Sequence, residues 1–367
     1  MRNTTGVGVI GGSTSGWASI AHMPAIAASQ DFALRAVSTS RHASAEAAAE
    51  HYGVTGYDHH QALIDDPAVD LVVVAVKVAH HQEIVSAALT AGKTVYSEWP
   101  LGNGLGEAEA LAEQARSAGV RTVVGLQGRY TPELRHARAL VQDGYIGEVL
   151  GTTMVGSGMV WGGQVADASQ AYWFDAANGA TPLTSAALHA LDGLHHVLGD
   201  FSTVRANLVT ARKHARIVES GATVPITVAD QVAVIGTLAD GVAASVFYRG
   251  GASRGSNFRW EINGSEGDLV LTSDWGNMQV AALELAAGHG ADPSVQPVDV
   301  PATLTGGIAE HLHGTPAANV ARLYADLARD LAEGTRTVPD FEHALSRHRL
   351  IDAVERASAT GTVQEVR

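Results

Sequence analysis

Gly6-Val7-Gly8-Val9-Ile10-Gly11-Gly12-Ser13-Thr14-Ser15-Gly16-Trp17 decides how this chain of 367 residues is read. An apolar run ends in a glycine-rich turn and leads into residues 18–28, which are patterned as one helix. A buried strand, a tight turn and a helix start present free backbone N–H groups and the positive end of a helix dipole, an arrangement that suits a pyrophosphate. The template G-x-G-x-x-G is met at Gly11 and Gly16, but Ser13 takes the middle place. A glycine there normally lets the backbone approach the phosphates, so Ser13 must point away or hydrogen-bond to the phosphate itself. The strand before and the helix after are the context the motif requires. Gly11, Ser13, Thr14, Ser15, Gly16 and Trp17 are therefore expected to hold a dinucleotide.

The same alternation continues outward. Residues 7–10, 33–37, 71–76, 94–96 and 122–124 read as strands, separated by helical stretches at 18–28, 44–51, 81–91 and 107–118. Strands apolar on both faces with helices between them indicate a parallel sheet covered on both sides. After a helix at 132–143 the pattern turns β-rich, with strands expected at 149–155, 203–210, 230–238, 242–248, 258–262 and 268–271. Helices at 317–333 and 341–357 close the chain, and the Gly, Pro and Ala-rich residues 286–305 read as a surface loop. The expected class is α/β. Residues 1–130 form a doubly wound Rossmann domain for the dinucleotide. Residues 131–367 form an α+β domain for substrate and oligomerisation, with a large, mainly antiparallel sheet and terminal helices free to pack back on the first.

Composition narrows the function classes. The chain is 46% hydrophobic and 17% charged, as expected of a globular protein. With 24 Lys and Arg against 38 Asp and Glu the formal net charge is -14, which repels phosphate backbones and anionic membranes. No nucleic acid or membrane partner is expected. Absence of cysteine excludes disulfides, thiolate nucleophiles and cysteine-ligated metals. No apolar leader precedes the first strand and no stretch is long enough to span a bilayer, so a cytoplasmic location is expected.

Several motifs together resemble the Gfo/Idh/MocA oxidoreductases along nearly the whole chain. They are the nucleotide turn, Ala79-His80-His81 after an apolar strand, and Ala91-Gly92-Lys93-Thr94-Val95-Tyr96-Ser97-Glu98-Trp99-Pro100. Gln127-Gly128-Arg129-Tyr130-Thr131-Pro132 and Asn263-Gly264-Ser265-Glu266-Gly267 complete the set. The Gly-Trp end of the turn, the Glu-Trp pair and Leu126-Gln127-Gly128-Arg129 look like the branch that includes the fungal repressor of galactose genes. Catalytic members carry Glu-Lys-Pro where this chain has Glu98-Trp99-Pro100, and an Asp and a His four residues apart. The resemblance places that His at His189 and that Asp at Ser185, so two of three polar catalytic groups are replaced. It implies cofactor contacts from Val76, Lys77, His81, Glu98, Trp99 and Gln127, and substrate contacts from Trp99, Arg129, Ser185 and His189. From their place before the Asn178-Gly179 turn, Tyr172 and Trp173 are expected to line the substrate pocket.

Read from the residues alone, His189, Asp192 and His196 lie at i, i+3 and i+7 and share one helix face, a spacing open to zinc as well as to acid–base work. No metal is expected, because the resemblance puts a metal-free catalytic His at 189. Asp192 is then its orienting partner or a helix-surface carboxylate. A hydride transfer at a carbinol needs one group to move the hydroxyl proton, and a histidine does this alone. Lys77, at the end of the 71–76 strand, is an available cation, either catalytic or a point charge near the cofactor. Trp17, Trp99, Tyr172 and Trp173 have packing readings beside their pocket ones. At the end of the second strand Ser38-Thr39-Ser40-Arg41 replaces the acid of an NAD site, and hydroxyls with a guanidinium suit a 2′-phosphate. NADP is the expected cofactor, with NAD possible. The expected activity is oxidoreduction of a sugar, cyclitol or similar polyhydroxylated molecule. The alternative is a dinucleotide-binding regulator working through a protein partner. A homodimer or homotetramer through the second domain's sheet is expected.

Overall fold

The computed structural model describes residues 4–366. The chain divides into two compact units, one comprising the residues up to Gln127 with Gly307–Ser346, the other Gly128–Gly306 with Arg347 onward.

The first unit is built on β1 (Thr5–Ile10), α1 (Trp17–Ile20), α2 (His22–Ala27), β2 (Phe32–Ser38) and α3 (His42–Tyr52). β3 (Thr55–Tyr57), α4 (His60–Ile64), β4 (Leu71–Val74), α5 (His81–Thr90), β5 (Thr94–Glu98), α6 (Leu105–Ala118) and β6 (Thr122–Gly125) follow. All six strands pair in parallel in the order β3-β2-β1-β4-β5-β6, the doubly wound arrangement. Leu71, Val72, Val73 and Val74 have no exposed surface, which is why the sequence shows an unbroken apolar run there rather than an alternation. Two short elements, β3 and α4, escape the sequence reading.

One expectation fails at the start. Residues 18–28 are not a single helix; α1 ends at Ile20 and α2 begins at His22. Pro24 explains the break, because its ring clashes with the carbonyl four residues back, that of Ile20, and it has no N–H to give it.

The second unit opens with α7 (Pro132–Gln142), β7 (Val149–Gly158) and β8 (Gln164–Val165). A π-helical turn at Leu183–Ala187 feeds α8 (Leu188–Leu198), followed by β9 (Phe201–Val209), β10 (His214–Ile217) and β11 (Thr223–Pro225). Then come β12 (Gln231–Leu238), β13 (Ala243–Gly250), β14 (Phe258–Gly264), β15 (Gly267–Ser273), β16 (Glu284–His289), β17 (Gln296–Pro297) and α9 (Ala302–Thr305). The loop expected at residues 286–305 is thus only partly loop: Ala286, Ala287 and Gly288 of β16 pair with β15, and weak side chains hid the strand. α10 (Ala317–Glu333) belongs to the first unit, and α11 (Phe341–Thr360) and β18 (Gln364–Glu365) end the chain.

The main sheet of the second unit has nine strands in the order β17-β16-β15-β14-β7-β13-β12-β9-β18, antiparallel except where β13 runs parallel to β7. Its inner face buries Met154, Val232, Val234, Val246, Tyr248, Trp260 and Ile262. Full burial of such side chains stabilises by about 1.5–3 kcal/mol each. The outer face leaves Val209, Ile235 and Phe247 exposed. No helix among the described residues is long and apolar enough to cross a membrane.

Candidate functional site

The glycine turn of the first unit is pinned from below. The N–H groups of Gly11 and Gly12 both donate to the Ser38 carbonyl at the end of β2, at 2.9 and 3.1 Å. Gly11 has φ +88, and a Cβ there would lie 2.3 Å from the Ala75 carbonyl oxygen, so only glycine fits. Ser13 Oγ donates to the Ser15 carbonyl at 2.7 Å, and Tyr52 donates its hydroxyl to the Ser13 carbonyl at 3.1 Å. Ser13 therefore braces the loop. Thr14, Ser15 and Gly16 form its exposed rim, and Gly16, also at φ +88, has open space where a side chain would be. Because α1 has only four residues, the anion-binding capacity rests on the turn's own N–H groups more than on a long helix dipole.

Buried polar atoms of this unit that meet no partner among the described residues include the indole Nε1 of Trp17 and the amide Oε1 of Gln127. Unmet buried polar groups cost about 1–3 kcal/mol each, so a pair at the ligand end of a sheet calls for an explanation. A nicotinamide carboxamide carries an acceptor oxygen for an indole N–H and amide hydrogens for a carbonyl oxygen. These residues fit that group.

The remaining first-unit candidates separate into exposed and committed. The Ser38 side chain is buried and serves the turn through its carbonyl. Thr39 Oγ1 donates to the Arg41 carbonyl at 3.1 Å and sits 2.7 Å from Ser44 Oγ, a local brace at the start of α3. Only Ser40 and Arg41 of that loop face solvent. His81 is corrected: it is buried, with Nδ1 2.8 Å from the Pro100 carbonyl and Nε2 3.0 Å from that of Val76. Burial pushes its pKa down and keeps the ring neutral, so its one N–H serves either carbonyl. Enclosed between the loop after β4 and the cis Trp99–Pro100 segment, the His81 ring is a packing and bracing group, while the Val76 carbonyl keeps acceptor capacity. Lys77 stands exposed just beyond β4, and Trp99 is buried.

In the second unit the π-helical turn carries Ser185, and His189 follows in the first turn of α8 with 6% of its surface exposed. π-turns of this kind widen the helix locally and recur at functional sites. Arg129 and Asp192 form a bidentate pair, Nε to Oδ2 at 3.0 Å and Nη2 to Oδ1 at 2.6 Å. Their side chains are 13% and 1% exposed. Asp192 is therefore a buried ion-pair carboxylate rather than a helix-surface one, and Arg129 holds both its oxygens. His196 accepts from Arg138 at 2.8 Å, and desolvation, with the Arg129 and Arg138 charges, pushes its pKa down to about 3. Asp192 and His196 thus have different arginine partners, and among the described residues no three His, Cys, Asp or Glu side chains gather as a metal site.

Trp161, Tyr172 and Trp173 form an aromatic cluster beside the π-turn. Trp161 Nε1 donates to the Trp173 carbonyl at 2.9 Å and its ring meets that of Trp173 edge-on at 5.4 Å. Tyr172 lies against Trp173 with centroids 4.3 Å apart, and burial raises its hydroxyl to about 12. Tyr172 and Trp173 remain half-buried, so their anchoring is structural while part of each ring stays open. Sequence reasoning missed Trp161 and the buried His22; the only signal was a polar or aromatic residue amid apolar neighbours.

Residues 5–126 match the model of an oxidoreductase family with an NAD-binding Rossmann fold, and residues 132–273 that of the Gal80p C-terminal domain. The galactose/lactose metabolism regulatory protein GAL80 of Saccharomyces cerevisiae is 27% identical over 98% of this chain and 94% of its own. The dehydrogenase aclE of Aspergillus oryzae is 38% identical, but the match spans about half of each chain, 48% and 49%. A levoglucosan dehydrogenase of Pseudarthrobacter phenanthrenivorans is 28% identical over 74% of both. Among solved structures, a super-repressor mutant of Gal80p from Saccharomyces cerevisiae superposes with a TM-score of 0.89 at 25% identity, covering 99% and 98% of the two chains. A levoglucosan dehydrogenase in complex with NADH and L-sorbose shares the fold, with a TM-score of 0.83 at 22% identity and 99% coverage of both.

Proposed function

Because the chain belongs to the Gfo/Idh/MocA oxidoreductases and carries a second domain of the Gal80p C-terminal type, we propose that it is an NAD(P)-dependent oxidoreductase of a sugar, cyclitol or similar polyhydroxylated molecule. The observation that carries this reading is the pair of orphaned buried groups, Trp17 Nε1 and Gln127 Oε1, in a unit whose glycine turn is built for a pyrophosphate. A nicotinamide held there would supply or accept the hydride. The turn residues 13–17 would hold the pyrophosphate, Trp17 and Gln127 the carboxamide, and Ser40 and Arg41 the adenosine ribose.

His189 moves the proton of the reacting hydroxyl. It is the one member of the family's Lys, Asp and His set that stands at its place, and a nearly buried imidazole on a packed helix is a fixed acid–base group. Ser185 replaces a carboxylate that would have raised the imidazole's basicity, and the half-open rings of Tyr172 and Trp173 offer apolar surface to the C–H face of a sugar ring. The outer face of the nine-stranded sheet, with Val209, Ile235 and Phe247 exposed, supports self-association.

A second reading has its own support: a dinucleotide-binding regulator acting through a protein partner. Trp99 and Ser185 replace two of three catalytic groups, and the likeness to GAL80 runs the length of the chain. One experiment separates them. NADPH and NADH are incubated with a panel of keto-sugars and keto-cyclitols while the nicotinamide absorbance is followed, with His189→Asn beside the parent. Turnover that falls about a hundredfold to ten-thousandfold in the variant, with cofactor binding kept, supports the enzyme. Parental turnover in His189→Asn refutes the mechanism. Absence of turnover with cofactor-dependent capture of a protein partner gives the regulator.

A further inference from the structure

The first unit buries a chain of three polar side chains that the proposed reaction does not use. His22, in α2, has no exposed surface. Its Nε2 lies 2.9 Å from Glu98 Oε1, and its Nδ1 lies 3.0 Å from the Tyr324 hydroxyl of α10. Tyr96 meets the imidazole edge-on at 5.0 Å and Tyr324 at 5.9 Å, while Phe32 backs Tyr324 at 5.1 Å. A carboxylate only accepts, so the 2.9 Å contact places a proton on Nε2, which donates to Glu98. Burial and the Glu98 charge hold the Tyr324 hydroxyl well above its ordinary pKa, so it keeps its proton and stands as the hydrogen-bond partner of Nδ1.

Glu98 is held from a second side. It ends β5 opposite Gly125 at the end of β6, and a Cβ on Gly125 would fall 2.6 Å from Oε1 and 2.9 Å from Oε2. The carboxylate occupies the space that glycine leaves. The side chain is only 12% exposed, so its orientation is set by the protein. Stability does not demand this chain, since replacing a buried ionic or polar group by apolar side chains of similar volume is often neutral or stabilising. Its position is more telling. It ends at the carboxyl edge of the parallel sheet, where ligands of this topology bind, and β4-β5-β6 serve the second mononucleotide of a dinucleotide.

We propose that His22 is a positioning residue that, backed by Tyr324, holds the Glu98 carboxylate to accept the hydroxyls of the ribose in the nicotinamide half of the cofactor. This rests on the cofactor reading above. It makes the site's grip on the second ribose separable from its grip on adenine and pyrophosphate.

The test is calorimetric titration of the full chain with NADH, ADP-ribose and ADP, which share adenosine and pyrophosphate but not the second ribose. In His22→Gln, NADH and ADP-ribose are expected to weaken about tenfold, the scale of a lost hydrogen bond to a charged group, while ADP changes less than about twofold. Gly125→Ala, which removes no polar atom and only displaces the carboxylate, is expected to show the same pattern and decides the matter where His22→Gln fails to fold. Adding His22→Gln to Glu98→Gln should weaken NADH no further. ADP falling as much as NADH would make the chain a purely structural element, and NADH unchanged in folded His22→Gln or Gly125→Ala would overturn the proposal. A parent protein that binds ADP but gains nothing from the second ribose also overturns it. A parent that binds none of the three defeats the cofactor reading itself, and this inference with it.

Discussion

Breaking the buried Arg129–Asp192 pair should be costly to the stability of the second unit. Asp192 is 1% exposed and gives both oxygens to one guanidinium that is itself 13% exposed. Arg129→Met keeps most of the side-chain volume and removes the charge, which takes the bidentate guanidinium from a buried carboxylate. Removing one partner of such a pair costs about 3–5 kcal/mol, whereas replacing both by apolar residues is often neutral. The single variant should therefore unfold at clearly lower urea, and Arg129→Met with Asp192→Leu should recover most of the loss. Urea titration of parent, both singles and the double, followed by circular dichroism, gives the cycle. A single-variant cost under about 1 kcal/mol, the range of a solvated surface pair, would refute the desolvation argument. So would a double variant no more stable than either single. Asp192 lies one helical turn from His189, so activity should fall with the single variants and return with the double.

Three further outcomes follow from the same geometry. Gly16→Asp, at φ +88 with open space around it, is expected to strain the turn and set a carboxylate at the phosphate position; unchanged cofactor affinity by calorimetry would remove the nucleotide site from this turn. NADP(H) should bind at least as well as NAD(H), and Arg41→Ala should lose that advantage; NAD preference untouched by the substitution would show that the exposed Ser40-Arg41 rim does not read the ribose. His196 has a folded pKa pushed down to about 3, below the ordinary histidine value, so the unfolded chain binds the extra proton first. Stability is then fully present above about pH 6.5 and declines as pH falls toward 3. In His196→Gln the decline in melting temperature between pH 7 and pH 5 should be shallower; an unchanged slope would count against this assignment.

Legibility in the sequence tracked the range of the interaction. Strands such as β4, buried on both faces, announce themselves as continuous apolar runs, and the alternating strands β12 and β13 by their period of two. The glycine positions of the turn were legible because a positive φ is a local demand. The break between α1 and α2 was also written locally, in Pro24, but a helical apolar pattern on both sides masked it. The partner of Asp192 was not legible, because Arg129 is 63 residues away and spacing on one helix face suggested His189 instead. His81 enters as a cofactor contact through the resemblance alone, and no residue pattern tells that the Val76 and Pro100 carbonyls enclose it. A π-turn has no composition of its own, and β16 is made of residues that favour no strand.

The nucleotide-binding unit is assembled from two stretches of chain, with Gly128–Gly306 lying between them. Tyr324, which closes the cover over His22 and Phe32, leaves the ribosome almost two hundred residues after β6. During synthesis the six parallel strands are complete long before that cover exists, and the intervening unit has most of its chain available to fold first. A fragment ending at Gln127 would carry the whole phosphate turn yet expose the apolar seat of α10 to water. The two units therefore interleave along the chain, each built from two stretches, and the cofactor unit reaches its final stability only when synthesis has passed α10.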